Sequence, residues 1–307
     1  LKIQDGCDRS CPYCAVPSAR GPARSRPVAD VVEQAERLAA NGYRELVLTG
    51  VHIGAYGRER DLGDPTPEPG LPGLIERLLE VDGLARIRLG SVEPSELTDE
   101  LAEVVASSDR VASHFHVPMQ SGSDRILRSM RRDYTSAGYA EAVGRVAERM
   151  PDAGIGADVI VGFPDETDED FNDTAGMVER LPITYLHVFS FSPRPGTEAA
   201  EMEDTVPGLE KKRRSRMLRD LGRKKSFRFR EGLVGTTQDV LVEAGRGREE
   251  RPLSGLAGNY VRIEVVGDER PGDGRRADIR NTLARVRVDG SDATRTWGSV
   301  VGERLSS

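Results

Sequence analysis

Leu1-Lys-Ile-Gln-Asp-Gly-Cys7-Asp-Arg-Ser-Cys11-Pro-Tyr-Cys14 opens the chain, and its reading decides how everything after it is read. A short β-type run, Leu1–Gln4, leads through Gly6 into the 3 cysteines of the protein. An odd count packed into one loop makes a poor disulfide framework, so the context reads as reducing and cytoplasmic. Three readings compete for the thiols. A structural zinc site wants four protein ligands. The chain has no fourth cysteine, and His52, His114, His116 and His187 sit near later strand ends without zinc-motif spacing. An electron-transfer iron–sulfur cluster also wants four cysteines. Three thiolates on a four-iron cluster leave one iron open to a bound molecule, and that reading accounts for the odd count.

Outward from the loop, β-type runs alternate with amphipathic helical patterns. The strands are expected at Leu1–Gln4, Glu45–Thr49, Arg86–Leu89, His114–Val117, Ile155–Val161 and Thr184–Phe191. Val28, Val31, Val32, Ala35 and Leu38 share one face of a 3.6-residue period, with Pro27 suited to its first turn and Gly42 to its stop. Leu74, Ile75, Leu78 and Leu79 mark a second helix, and Leu101, Val104 and Val105 a third behind a capping Thr98. Further helices are expected around Ile126–Met130, Tyr139–Met150 and Phe171–Leu181. Six strand–helix units joined by right-handed crossovers predict an α/β fold, an open, partial (β/α)6 barrel over residues 1–206. Chemistry in such barrels sits at the C-terminal strand ends, and all six ends here carry glycine or polar residues. Any one of them reads equally well as an ordinary turn. Six on one edge, the first opening a cysteine cluster, favour a site.

The pattern changes after Pro207. A basic helix is expected over 207–232, with eleven Lys/Arg and one acid, Asp220, between Lys211 and Arg230. Strands at Gln238–Glu243, Tyr260–Val266, Arg276–Ile279 and Leu283–Val288 then predict a small all-β barrel over 233–303. The net charge of −7 argues against a nucleic-acid partner only if charge is spread evenly, and the 211–230 stripe says otherwise. With 37% hydrophobic and 31% charged residues and no apolar run near the roughly 20 residues of a membrane helix, no membrane is expected. No signal peptide is visible. The first residue is not Met, so the chain reads as a fragment whose N-terminal part is missing.

Cys7-x-x-x-Cys11-x-Tyr13-Cys14 after a first strand resembles the hallmark of the radical S-adenosylmethionine (SAM) superfamily. The run from Lys2 to Pro27 is similar to the methylthiotransferase family within it. The stretches His114-Phe-His116-Val-Pro-Met-Gln-Ser-Gly-Ser-Asp124, Arg128-Ser-Met-Arg-Arg132 and Leu186-His-Val-Phe-Ser-Phe-Ser-Pro-Arg-Pro-Gly-Thr197 point the same way. The Gly21–Pro27 run places the likeness nearest the bacterial tRNA N6-threonylcarbamoyladenosine (t6A) methylthiotransferases. Gly255-Leu-Ala-Gly-Asn-Tyr260-Val-Arg262 resembles the TRAM domain, a small RNA-binding barrel.

The resemblance implies an enzyme of tRNA modification, a transferase placing a methylthio group at C2 of the modified adenosine 3′ of the anticodon. It implies a [4Fe–4S] cluster on Cys7, Cys11 and Cys14 that coordinates SAM, and a second [4Fe–4S] cluster in an N-terminal domain absent here. It further implies tRNA as partner and an electron donor such as flavodoxin or ferredoxin. The alternatives are methylthiolation of isopentenyladenosine in tRNA or of a ribosomal protein aspartate, or a non-catalytic RNA-binding iron–sulfur module.

By the same resemblance Tyr13 packs near the adenine of SAM, and Thr49 and Gly50 lie where the methionine amino group is held. Glu93, Gln120 and Ser121 end the third and fourth strands and are candidates to hydrogen-bond SAM or to hold an arginine. Gly162 and Phe163 are candidates for close approach to the nucleoside. Each also reads as a loop or turn residue. His114 and His116 point the same way along their strand, as residues filling a barrel interior do. Arg20, Arg24 and Arg26, with Lys211, Lys212, Arg213, Arg214 and Arg262, are candidate RNA contacts. A solvated surface face is the competing reading of all eight. No side chain is singled out for the chemical step itself.

Overall fold

The computed structural model describes residues 1–58, 69–243, 253–266 and 279–303. Six parallel strands form one curved wall: β1 (Gln4–Asp5), β3 (Glu45–Leu48), β4 (Arg86–Leu89), β5 (His114–His116), β6 (Gly154–Val161) and β7 (Tyr185–Ser190). Parallel ladders join β3 to β4 and run through β5, β6 and β7. Single parallel bridges, Lys2 to Thr49 and Ser91 to His116, close the remaining gaps in the order. The two-residue β2 (Arg24–Ser25) pairs antiparallel with β1. The described residues show no pairing between β1 and β7, so the barrel stays open on that side.

Helices α2 (Val28–Ala40), α3 (Leu71–Leu79), α4 (Asp99–Ala106), α6 (Ser136–Arg149) and α7 (Asp168–Arg180) cover the outer face, with short α1 (Val16–Arg20) and α5 (Asp124–Ser129) above the strand tops. Alternation along β6 shows the division of labour. Ile155, Ala157, Val159 and Val161 join the core under the helices, while Gly156, Asp158 and Ile160 turn into the lumen. Thr98 caps α4 by accepting the Leu101 N–H at 3.2 Å, as its position in the sequence predicts. Thr167 and Asp170 form a reciprocal capping box on α7.

The helix α8 (Gly208–Gly232) lies along β7, with Leu218 buried and Gly222 against Leu186. Beyond it β8 (Thr237–Val242), β9 (Leu253–Ala257), β10 (Arg262–Val265), β11 (Leu283–Ser291) and β12 (Thr296–Glu303) close into a five-stranded barrel. Two of these, β9 and β12, have no counterpart among the expected strands. Their interruption by Gly255, Gly298 and Gly302 hides the alternation. The strand expected over 276–279 falls almost wholly outside the described residues.

The small barrel plugs the bottom of the large one. Its β9–β10 turn places Asn259 against Gly154, where a side chain would collide with the Asn259 carbonyl. Tyr260, at φ +70°, stacks on His114 with ring centres 4.5 Å apart.

Candidate functional site

Gly6, at φ +70°, turns the chain out of β1 into the cysteine loop. A Cβ there would lie 1.8 Å from the Pro22 carbonyl oxygen, so only glycine fits. The Cys7 N–H reaches the Gly21 carbonyl at 3.1 Å, and the Cys14 N–H reaches the Cys11 carbonyl at 3.0 Å. All three cysteines are free thiols; Cys11 is buried, Cys7 and Cys14 half-buried.

Donors converge on the sulfurs. The Arg9 N–H points at the Cys7 sulfur at 3.4 Å, and Arg132 donates to the Cys11 sulfur at 3.5 Å and to the Tyr13 hydroxyl at 3.3 Å. His52 Nδ1 approaches the Cys7 sulfur at 4.0 Å, while its Nε2 meets the buried Glu96 carboxylate at 2.7 Å. Burial alone would raise the Cys7 thiol, but the His52 contact and the Arg9 N–H hold it below the ordinary range. Burial lowers His52, yet its contacts with Cys7 and Glu96 win and lift it to about 9. Cys14 is pushed up by burial, with the neighbouring Cys11 and Cys7 adding to it. Arg132 also pairs with Glu93, whose carboxyl burial pushes up against the pull of Arg132 and Arg9. Three free thiols in one loop, with His52 and the Arg9 backbone N–H at Cys7 and Arg132 at Cys11, are a donor set for an anionic iron–sulfur cluster.

The other expected residues divide. Tyr13 lies over Phe163, edge to face at 6.3 Å, beside the cysteines. Gln120 turns at φ +57° on top of the wall. Thr49 is exposed at the β3 end, and Gly50 leaves room for Ile53 and β1, since a Cβ would sit 2.8 Å from the Ile53 side chain.

Three of the expected residues have partners within the protein. Ser121 is buried and turned outward, its hydroxyl 3.3 Å from that of Thr174 on α7, because this bond ties the strand-end loop to the helix. Phe163 is wholly buried against Phe191, an anchor beneath the site. The close approach at Gly162 is to the Lys211 stem at 2.4 Å, which fills the space a side chain would need.

The basic residues divide between buried and exposed positions. Lys211 is buried and clamped by Asp204 at 2.6 Å, and Arg214 is buried among Glu166, Asp168 and Glu210, because that face of α8 packs on the large barrel. Arg213 pairs with Glu210, Arg24 with Asp5 and Arg262 with Glu243. Arg26 donates to the Lys2 carbonyl and to Gln34. Arg20 and Lys212 stand exposed. The exposed cations of α8 are Lys212, Arg213, Arg216, Arg219, Arg223, Lys224 and Arg228, and Lys212, Arg216, Arg219 and Arg223 among them form one stripe at helical spacing.

Sequence reading missed the lumen. Glu45 accepts from Arg86 and, at 2.8 Å, from Arg88, and both arginines are buried. Above them His116 Nε2 meets Asp158 Oδ1 at 3.0 Å and His187 Nδ1 meets the same oxygen at 3.2 Å. Alternation along β4 and β7 was a signal for these inward residues, but their partners lie on other strands.

The family described as the radical SAM superfamily matches residues 1–178. Threonylcarbamoyladenosine tRNA methylthiotransferase MtaB of Aquifex aeolicus is 39% identical over 89% of this chain and 63% of its own length. The tRNA-2-methylthio-N(6)-dimethylallyladenosine synthase of Bacillus velezensis is 36% identical over 99% of this chain and 57% of its own length. The chain thus spans about six-tenths of these curated relatives. Among solved structures, Escherichia coli coproporphyrinogen III oxidase, described as a radical SAM enzyme, superposes with a TM-score of 0.51 at 18% identity, covering 74% of this chain and 52% of that one. That likeness concerns the fold alone.

Proposed function

The chain belongs to the radical SAM superfamily, and from that premise we propose that Cys7, Cys11 and Cys14 hold a [4Fe–4S] cluster with one iron left for SAM. We propose further that the whole enzyme transfers a methylthio group to C2 of t6A in tRNA, 3′ of the anticodon. The observation that carries this reading is the three-thiol loop with its cationic donors, at the strand tops of a chain similar to enzymes so named. When bound, the cluster supplies the one electron that splits the SAM sulfonium.

What the protein contributes is placement. Gly6 fixes the loop, Arg132 and the Arg9 backbone N–H lower the cost of thiolate charge, and Tyr13, backed by the buried Phe163, offers an apolar face beside the cysteines. The 233–303 barrel is the TRAM-like RNA-binding unit, joined through the basic helix. A second cluster, carrying the sulfur, belongs to a further domain, and a flavodoxin- or ferredoxin-type protein delivers electrons in the cytoplasm. No described helix is long and apolar enough to cross a membrane.

The dimethylallyladenosine branch is the second reading, favoured by its coverage of nearly the whole chain, whereas the t6A relative has the higher identity. Anaerobic reconstitution should give about four irons per chain, lost on Cys7→Ala, Cys11→Ala or Cys14→Ala. One zinc without labile sulfide would end the radical reading. Mass spectrometry of tRNA nucleosides from cells lacking the full gene decides between the two branches.

A further inference from the structure

We propose that the lumen of the large barrel holds a subsite for the N6 substituent of the target adenine, built by His187, Asp158 and His116, which selects a substituent carrying its own O–H or N–H donor. This rests on the tRNA reading above and names what that site recognises.

Asp158 Oδ1 lies 3.0 Å from His116 Nε2 and 3.2 Å from His187 Nδ1. A carboxylate only accepts, so both imidazoles donate to it. Burial would raise this carboxyl, but the bond from His116 and the two imidazoles keep it below the usual range, as an acceptor for both. His116 Nδ1 then accepts from the Ser91 hydroxyl at 3.1 Å, and its hydrogen-bonding capacity is spent. His187 is different. Its side chain is 52% exposed, and its Nε2 has no hydrogen-bond partner among the described residues. With Nδ1 donating to Asp158, Nε2 presents a lone pair to the open lumen.

Two residues further up β7, on the same face, Phe189 exposes 52% of its surface, and Val47 on the opposite wall exposes 39%. Large apolar groups exposed inside a polar lumen are a surface for a flat ring to stack on. C2 and C6 of a purine flank N1, so the C2–H and C6–N6 bonds leave different sides of the ring. A base lying on Phe189 with C2 turned to the cysteine loop can then direct N6 toward His187. The floor is closed by Tyr185, His114 and Tyr260, so the substituent ends in a bounded, polar space. A threonylcarbamoyl group brings a hydroxyl and a ureido N–H to Nε2. A dimethylallyl group brings only carbon and leaves the nitrogen unpaired, which costs affinity.

The test is fluorescence anisotropy of the 307-residue chain with labelled anticodon stem-loops bearing t6A, dimethylallyladenosine or unmodified adenosine. The t6A stem-loop should bind about tenfold more tightly than the other two. His187→Phe should erase that ratio, and His187→Gln, whose amide oxygen accepts, should restore part of it. A ratio that survives His187→Phe overturns the proposal, as does equal binding of all three stem-loops by the unaltered chain. If none of them binds better than a scrambled hairpin, the tRNA reading falls as well. A metal ion held by the Cys7, Cys11 and Cys14 triple Ala variant and lost on His187→Phe would also overturn it, because the trio would then be a metal site.

Discussion

His114 shows what a single residue contributes here. It is buried between Tyr185, whose hydroxyl lies 2.8 Å from Nε2, and the ring of Tyr260, and its Nδ1 finds no partner among the described residues. Burial, with Arg88 and His116 nearby, drops it to about 3. Between its ordinary value and about 3 the unfolded chain binds a proton that the folded chain refuses. Its contribution is therefore complete above pH ~6.5 and declines as pH falls toward about 3, by at most about 1.4 kcal/mol per pH unit. His114→Gln should flatten the acid limb of urea-melt stability relative to the unaltered protein. Parallel limbs would refute the assignment. At the cysteine loop, Gly6→Ala should prevent cluster assembly, read as loss of the visible iron–sulfur absorbance, since its Cβ has no room beside Pro22.

Among elements, the decisive joint is between β4 of the large barrel and β8, β9 and the β9–β10 turn of the small one. Arg86 donates to the carbonyls of Asp239 and Leu256, and Arg88 to those of Gly258 and Ala257, all at 2.8 to 2.9 Å. Glu45 pairs one carboxylate oxygen with each guanidinium group. Glu45→Gln strands two buried cations on four carbonyls and should cost about 3–5 kcal/mol, the range for breaking a buried pair. The expected result is a split urea transition, the small barrel separating before the large one melts. A single, unshifted transition would mean that the Tyr260 plug alone carries the docking. The sequence placed Arg86 and Arg88 on one face of a strand but not their partner, because Glu45 lies 41 residues from Arg86.

For the whole molecule, the proposed tRNA binding has to work at a net charge of −7. On α8 it would fall to the exposed stripe, because Lys211 and Arg214 are spent on the large barrel. Replacing Lys212, Arg216, Arg219 and Arg223 by Gln should flatten the log–log salt dependence of tRNA binding by up to about one unit per lost phosphate contact. Filter binding at several salt concentrations reads it, and an unchanged slope would remove α8 from the RNA track. Arg214→Ala should instead lower stability, leaving Glu166 buried without its partner.

The sequence alone determined whatever is local. The period-2 and period-3.6 patterns placed all six barrel strands within a residue or three, because a strand or helix face is set by neighbours two to four positions away. Thr98 announced its helix, and the cysteine spacing singled out the loop on which three thiols gather. The tertiary structure alone decided which polar groups face inward and with whom. Ser121 turned to α7, Lys211 filled the space at Gly162, and His187 met Asp158 across a strand pair. Each of these pairings joins residues 29 to 53 positions apart. A charged side chain reads the same in sequence whether water or a distant partner satisfies it; burial, which only the assembled barrel creates, makes the difference.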